Sequence, residues 1–167
     1  MSRDAELLDE IARRPNDDHL LRVYADHLEE QGDPRGELIA LQLAHADPQR
    51  VAALIAAHGR AWVGPLLPLV RLQDCRFSRG FLSEVALADL RVSFDQIIGD
   101  PIWATVRVLH LGQVRKLTSE FRPAMRRISR LIAHPVMRLL QQVTESNEPL
   151  MIEREPDGGC AFVPRFG

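Results

Sequence analysis

Cysteine is scarce: 167 residues hold only Cys75 and Cys160, too few for a disulfide framework. No Cys/His cluster has zinc spacing, so no structural metal is expected. A reducing compartment is the simpler reading, and the chain is long enough to bury a core without staples. No apolar run reaches the length of a membrane span. The longest candidate, Val51 to Leu72, is interrupted by His58, Arg60, Arg71 and two prolines. Met1 to Arg14 is charged throughout and lacks the apolar stretch of a signal peptide. The expected location is the cytoplasm.

Catalytic patterns are missing as well. There is no G-x-G-x-x-G and no P-loop, so nucleotide binding has no support. Without G-x-S-x-G, Ser78-Arg79-Gly80 is not a nucleophile elbow. Asp26, His27 and Glu30 are the one acid/base grouping in sight, but neighbours on a helix point in different directions, and no H-E-x-x-H accompanies them. No catalytic, cofactor-binding or metal-binding residue is assigned, and the expectation is a protein that is not an enzyme.

What is present is a globular composition, 46% apolar and 26% charged. The net charge of −2 hides a strong asymmetry. Residues 1–50 hold 6 basic and 12 acidic side chains, whereas residues 101–140 hold 8 basic and 1 acidic. Such segregation lets the two segments attract each other or meet separate partners.

The first third reads as helices. Leu7, Leu8, Ile11 and Ala12 recur at helical spacing behind Asp4 and Glu6, acids the helix dipole favours in a first turn. Pro15-Asn16-Asp17 breaks this helix and caps the next, in which Leu20, Tyr24, His27 and Leu28 are expected on one face. Gly32 suits a left-handed stop. Asp33-Pro34 and Asp47-Pro48 are two further starts: the carboxylate accepts free N–H groups and proline has none to leave unpaired. Across the first of these turns, Asp26 is expected to pair with Arg35.

Beyond Trp62 the pattern changes to strands. Arg71 to Ala88 reads as two strands joined at Ser78-Arg79-Gly80. Asp89 is read as the cap of a short helix through Val92, Phe94 and Ile97. Val106, Leu109 and Leu111 carry the L-x-x-L-x-L spacing of a leucine-rich repeat. A helix follows with Phe121, Met125, Ile128 and Ile132 as its apolar stripe. A second strand is expected to open with Val136, Leu139, Leu140 and Val143, which places Leu139 opposite Leu109. Leu150 to Phe166 reads as a hairpin about Asp157-Gly158-Gly159.

Leu20 to Gln42 reads LLRVYADHLEEQGDPRGELIALQ. It resembles a bacterial repeat-companion domain, whose core looks like R-x-V-Y-A-D-W-L-E-E-x-G-D-P-R-G-E-x-I-x-L-Q. Trp62 to Leu66 and Phe77 to Phe81 look like the family's continuation, so the resemblance covers roughly residues 4–111. His27 stands where the family commonly has Trp. The resemblance implies a helical cap joined to repeats, and it implies no activity.

The fold class expected is therefore α+β or α/β, with an N-terminal helical cap packed on a short leucine-rich-repeat-like β–α region that ends in a hairpin. Residues 1–61 form the helical domain and residues 62–167 the strand-rich one. The function expected is protein binding, as an adaptor or as a regulator or inhibitor of an unidentified protein partner. Arg107, His110 and Gln113 are the residues expected to project toward it. The alternative is nucleic acid held by Arg122, Arg126 and Arg130, spaced i, i+4, i+8 with Arg115, Lys116, Arg127 and Arg138 nearby. Without aromatic interleaving the protein partner is preferred. No cofactor is implied.

Overall fold

Three of the early helices begin where a carboxylate can accept orphan N–H groups. Helix α2 (Asp18–Glu30) is capped by Asp17, whose side chain accepts from Leu20 N at 3.1 Å. Asp33 accepts from Arg35 N at 2.8 Å at the start of α3 (Arg35–Leu43), and Asp47 accepts from Arg50 N at 2.9 Å at the start of α4 (Pro48–Val63). Gly32, at φ 73, ends α2: its N–H donates to the Glu29 carbonyl and that of Asp33 to Leu28. Helix α1 (Arg3–Arg13) precedes them.

The computed structural model describes residues 3–89, 95–111, 121–145, 148–154 and 160–164, with the backbone alone at 121–122, 148–154 and 160–164. The fold is α+β, helices first and then a mixed sheet. Its strands are β1 (Val70–Ser78), β2 (Phe81–Leu87), β3 (Val108–His110), β4 (Gln142–Glu145), β5 (Glu148–Arg154) and β6 (Cys160–Pro164), in spatial order β1-β2-β3-β4-β5-β6. Helix α5 (Phe121–Ala133) lies between β3 and β4 in sequence. Among the described residues no helix is long and apolar enough to cross a membrane. The chain divides into two compact units, Met1–Trp62 with Phe77–Phe81, and Val63–Arg76 with Leu82–Gly167.

In the first unit Ile11, Leu20, Leu21, Tyr24, Ala25, Leu28 and Ile39 form one buried cluster, flanked by Leu7, Leu8, Leu43 and Phe81. The buried face of α2 is turned relative to the sequence expectation: Leu21 and Ala25 are inside, while His27 is half-exposed and hydrogen-bonds Gln31 at 2.7 Å. Tyr24 stacks on Phe81 at 6.1 Å and donates its hydroxyl to Asp4 at 3.1 Å.

In the second unit the sheet begins on an irregular edge strand. The Cys75 thiol donates to the Arg71 carbonyl four residues back at 3.4 Å. A straight strand rises about 3.3 Å per residue, so that contact needs an irregular backbone. The charges of Arg71, Asp74 and Arg76 also blunt this edge strand. At the β1–β2 turn Arg79 and Gly80 both take positive φ, 56 and 81, the signature of a type I′ hairpin.

Strands β2, β3 and β4 are parallel and in register. Val85, Leu109 and Val143 stand side by side, all fully buried. The ladder continues past β3, with Arg107 N donating to Ser83 O at 2.8 Å and Leu111 N to Thr144 O at 2.8 Å. The expected strand from Val136 is corrected here: Pro135–Met137 is a 3-10 turn capped by His134, and the strand starts at Gln142. Leu109 is consequently opposite Val143, not Leu139. Proline at the head of that segment cannot give a ladder N–H, and it suits the first position of a helical turn. The C-terminal hairpin pairs β5 with β6 from Leu150–Pro164 to Arg154–Cys160. Its turn, and Leu90 to Phe94 with the first part of the short helix expected from Asp89 through Ile97, lie outside the described residues, and Asp95–Ile97 forms a 3-10 turn.

Candidate interaction surface

Alternation along three short strands sorts their side chains. With Val85, Leu109 and Val143 inside, two rows face the other way: Glu84, Val108 and Gln142, then Ala86, His110 and Thr144. The rows carry a polar chain. Arg76 Nε lies 3.3 Å from Glu84 Oε2, and the same oxygen is 3.7 Å from His110 Nε2. The other ring nitrogen of His110 shares a 2.6 Å hydrogen bond with the buried Thr144 hydroxyl. Both ring nitrogens of His110 thus have a neighbour, which fixes the ring on the sheet. Val108 and Ala86 are half-buried, and Gln142 is exposed beside them.

His110 is therefore on this face. Arg107 precedes β3 and is half-exposed; its carbonyl accepts from Gln141 N at 2.8 Å and Gln142 N at 3.1 Å, so its backbone is locked to β4. Gln113, Arg115 and Lys116 lie outside the described residues. Glu84, Thr144 and Arg76 were not singled out from sequence. Only the parallel register brings them beside His110, and strand alternation in β2 was the one available signal.

Helix α5 buries Ala124, Ile128, Leu131 and Ile132. The expected apolar stripe is corrected: Leu131 and Ala124 belong to it, Met125 is half-buried, and the side chain of Phe121 is not described. Arg126 and Arg130 are exposed on the outer side, about one and two turns after Arg122, whose backbone alone is described. Arg130 pairs with Asp95. Arg138 is exposed, and Arg127 is half-exposed.

The Gly32–Glu37 segment forms the corner between α2 and α3. Arg35 lies over the Trp62 ring at 5.5 Å, with Tyr24, Asp33 and Asp4 as its charged or polar neighbours, and burial pulls its pKa down. Asp26 is exposed and is not among those neighbours, a correction to the expected Asp26–Arg35 pair. A side chain at Gly36 would put its Cβ 2.6 Å from the Ala25 carbonyl, so the glycine allows α3 to approach α2. Glu37 grips Arg50 with two bonds, 2.6 and 2.7 Å, tying α3 to α4.

Among the described residues no three His, Cys, Asp or Glu side chains are grouped to hold a metal ion. No protein-family model, no curated protein and no solved structure matches the chain.

Proposed function

We propose that the chain is a non-catalytic protein-interaction module, an adaptor or a regulator or inhibitor of a protein partner in the bacterial cytoplasm. In this reading the N-terminal helices are a repeat-companion domain and β2–β4 are leucine-rich-repeat-like coils. The observation that carries it is the in-register parallel stack of Val85, Leu109 and Val143. Consecutive strands stand next to each other, with a helical segment between each pair. Repeat coils build binding faces in this way, with an apolar ladder inside and a variable row outside. The docking residues are Glu84, Val108, His110 and Gln142, with Arg107 at the rim. Because the outer rows are continuous across three strands, they present a surface and not a cleft.

The test is a tagged pull-down from native lysate, with and without nuclease, using wild type and a Val108→Lys/Gln142→Lys variant that keeps its circular dichroism. One stoichiometric protein, recovered in both nuclease arms and reduced at least about tenfold by the variant, is expected. Equal recovery by the variant would remove the sheet face from the reading. Material lost on nuclease treatment would instead select the Arg122/Arg126/Arg130 side of α5 and a phosphate backbone. That alternative is weaker because Arg130 already has Asp95 as its partner.

A further inference from the structure

Positive φ is a strained state for a residue with a Cβ, and such residues gather at ligand clamps. Three non-glycine residues of the described backbone have it, and two of them, His45 and Arg79, line one cavity of the first unit. His45 (φ 51) and Arg79 (φ 56) line this space of about 450 Å³, and Asp47 (φ 38) stands between two other wall residues, Ala46 and Pro48. That volume falls within the range of small-ligand sites, roughly 300–1,000 Å³.

The wall chemistry narrows the occupant. Leu41, Leu43, Val51 and Phe77 supply apolar surface. The polar groups are Asp18 and Arg79, already paired with each other, with Ser78 and His45 beside them. Gln42 also borders the space, but both ends of its amide are engaged, with Phe77 O and Gly80 N. An ionised ligand would have to break the Asp18–Arg79 pair to be neutralised. A neutral group with a donor and an acceptor side by side would not: its N–H can add to the Asp18 carboxylate and its C=O to the Arg79 guanidinium. A peptide amide is such a group, and the apolar wall accommodates its side chain.

We propose that this cavity binds a neutral peptide amide bearing an aliphatic or aromatic side chain, the anchor residue of an extended segment of the partner. The anchor role rests on the protein-binding reading above; the amide chemistry does not. The test is a ¹H–¹⁵N NMR titration of the full chain with N-acetyl-L-leucinamide, and with 4-methylpentanoate and 3-methylbutylamine as ionised controls. Saturable shifts at the His45, Ala46, Ser78 and Arg79 amides are expected for the amide, with at least about tenfold weaker binding of either ion. No saturable shift, or an ion binding as tightly, overturns the proposal. Val51→Trp fills the cavity and should abolish the shifts. Arg79→Gly serves if that variant does not fold: glycine accepts φ 56, so the protein should melt no lower than wild type while binding weakens at least about tenfold. Undiminished amide binding by Arg79→Gly also overturns the proposal. Val108→Lys/Gln142→Lys leaves this titration unchanged, so the two readings fail separately.

Discussion

Gln42 and Gly80 are joined by a 2.7 Å hydrogen bond from the glycine N–H to the glutamine Oε1, while Gln42 Nε2 donates to the Phe77 carbonyl at 2.9 Å. One side chain on α3 therefore clasps the hairpin turn from both sides. Gly80 itself leaves no room: an added Cβ would fall 2.1 Å from Ile39 Cγ1, and φ is 81. Gly80→Ala combines a core clash with backbone strain and should cost about 3 kcal/mol. Gln42→Leu leaves the Gly80 N–H unpaired in a part-buried place and should cost about 1–3 kcal/mol. Urea unfolding of the two variants checks both, and a near-neutral Gly80→Ala would refute the close approach.

Tyr24 is the only tyrosine, which makes its ionisation directly visible. Burial raises its pKa first, and the neighbouring Asp4 carboxylate adds to this by charge and by accepting its hydrogen bond. The folded pKa lies above the unfolded value of about 10, so the folded state retains the proton longer. This contribution to stability is complete below that value and is lost as pH rises toward the folded pKa. Phenolate absorbance near 295 nm should therefore appear only with alkaline unfolding, tracked in parallel by circular dichroism. A Tyr24 that titrates near pH 10 in the folded chain would contradict its burial.

Cys75 is a free thiol whose pKa burial pushes up to about 11, with Asp74 adding to the rise. The thiolate is the reactive form, so alkylation at pH 8 should be slow in the folded state. Mass spectrometry after iodoacetamide should show Cys75 modified at the rate of local or global opening, and quickly in urea. Rapid modification without denaturant is the opposing result.

Asp17 shows the opposite sign. Its carboxylate accepts the Leu20 N–H, which holds the group below the ordinary aspartate range, and Arg14 contributes by charge. The stability this provides is complete above the unfolded pKa of about 4 and falls away as pH drops through the folded value. Asp17→Asn keeps a capping oxygen but cannot titrate. The urea midpoint of that variant should decline less steeply below about pH 4 than that of wild type. Parallel profiles would mean that the cap does not carry this part of the acid response.

Local signals were the legible part of the sequence. Asp17, Asp33 and Asp47 each accept a backbone N–H where an acid precedes a helical stretch, and Arg79-Gly80 turns where the strand pattern breaks. These depend on a few adjacent residues and on backbone groups that need partners. Register was not legible. Glu84, His110 and Thr144 are separated by 26 and 34 positions, and nothing local says that they share a face of the sheet. The same holds for the Gln42 clasp, whose partners are 35 and 38 positions away. His110 could be named as outward-facing, but the neighbours that give it chemistry could not.

Leu109 and Leu139 separate the two registers by experiment. Repeat spacing makes them equivalent core leucines, whereas the structure pairs Leu109 with Val143 and places Leu139 half-buried in a turn. Leu109 is fully buried between two parallel neighbours, so Leu109→Ala removes its transfer free energy and leaves a cavity that close-packed strands cannot collapse. The expected loss is about 3 kcal/mol, within the range of buried leucine truncations. Leu139→Ala should cost about 1 kcal/mol, since part of that side chain already meets water. Urea denaturation of the pair decides it. Equal losses would restore the Leu109–Leu139 equivalence and move β4 toward Pro135, displacing Gln142 and Thr144 from the outer rows.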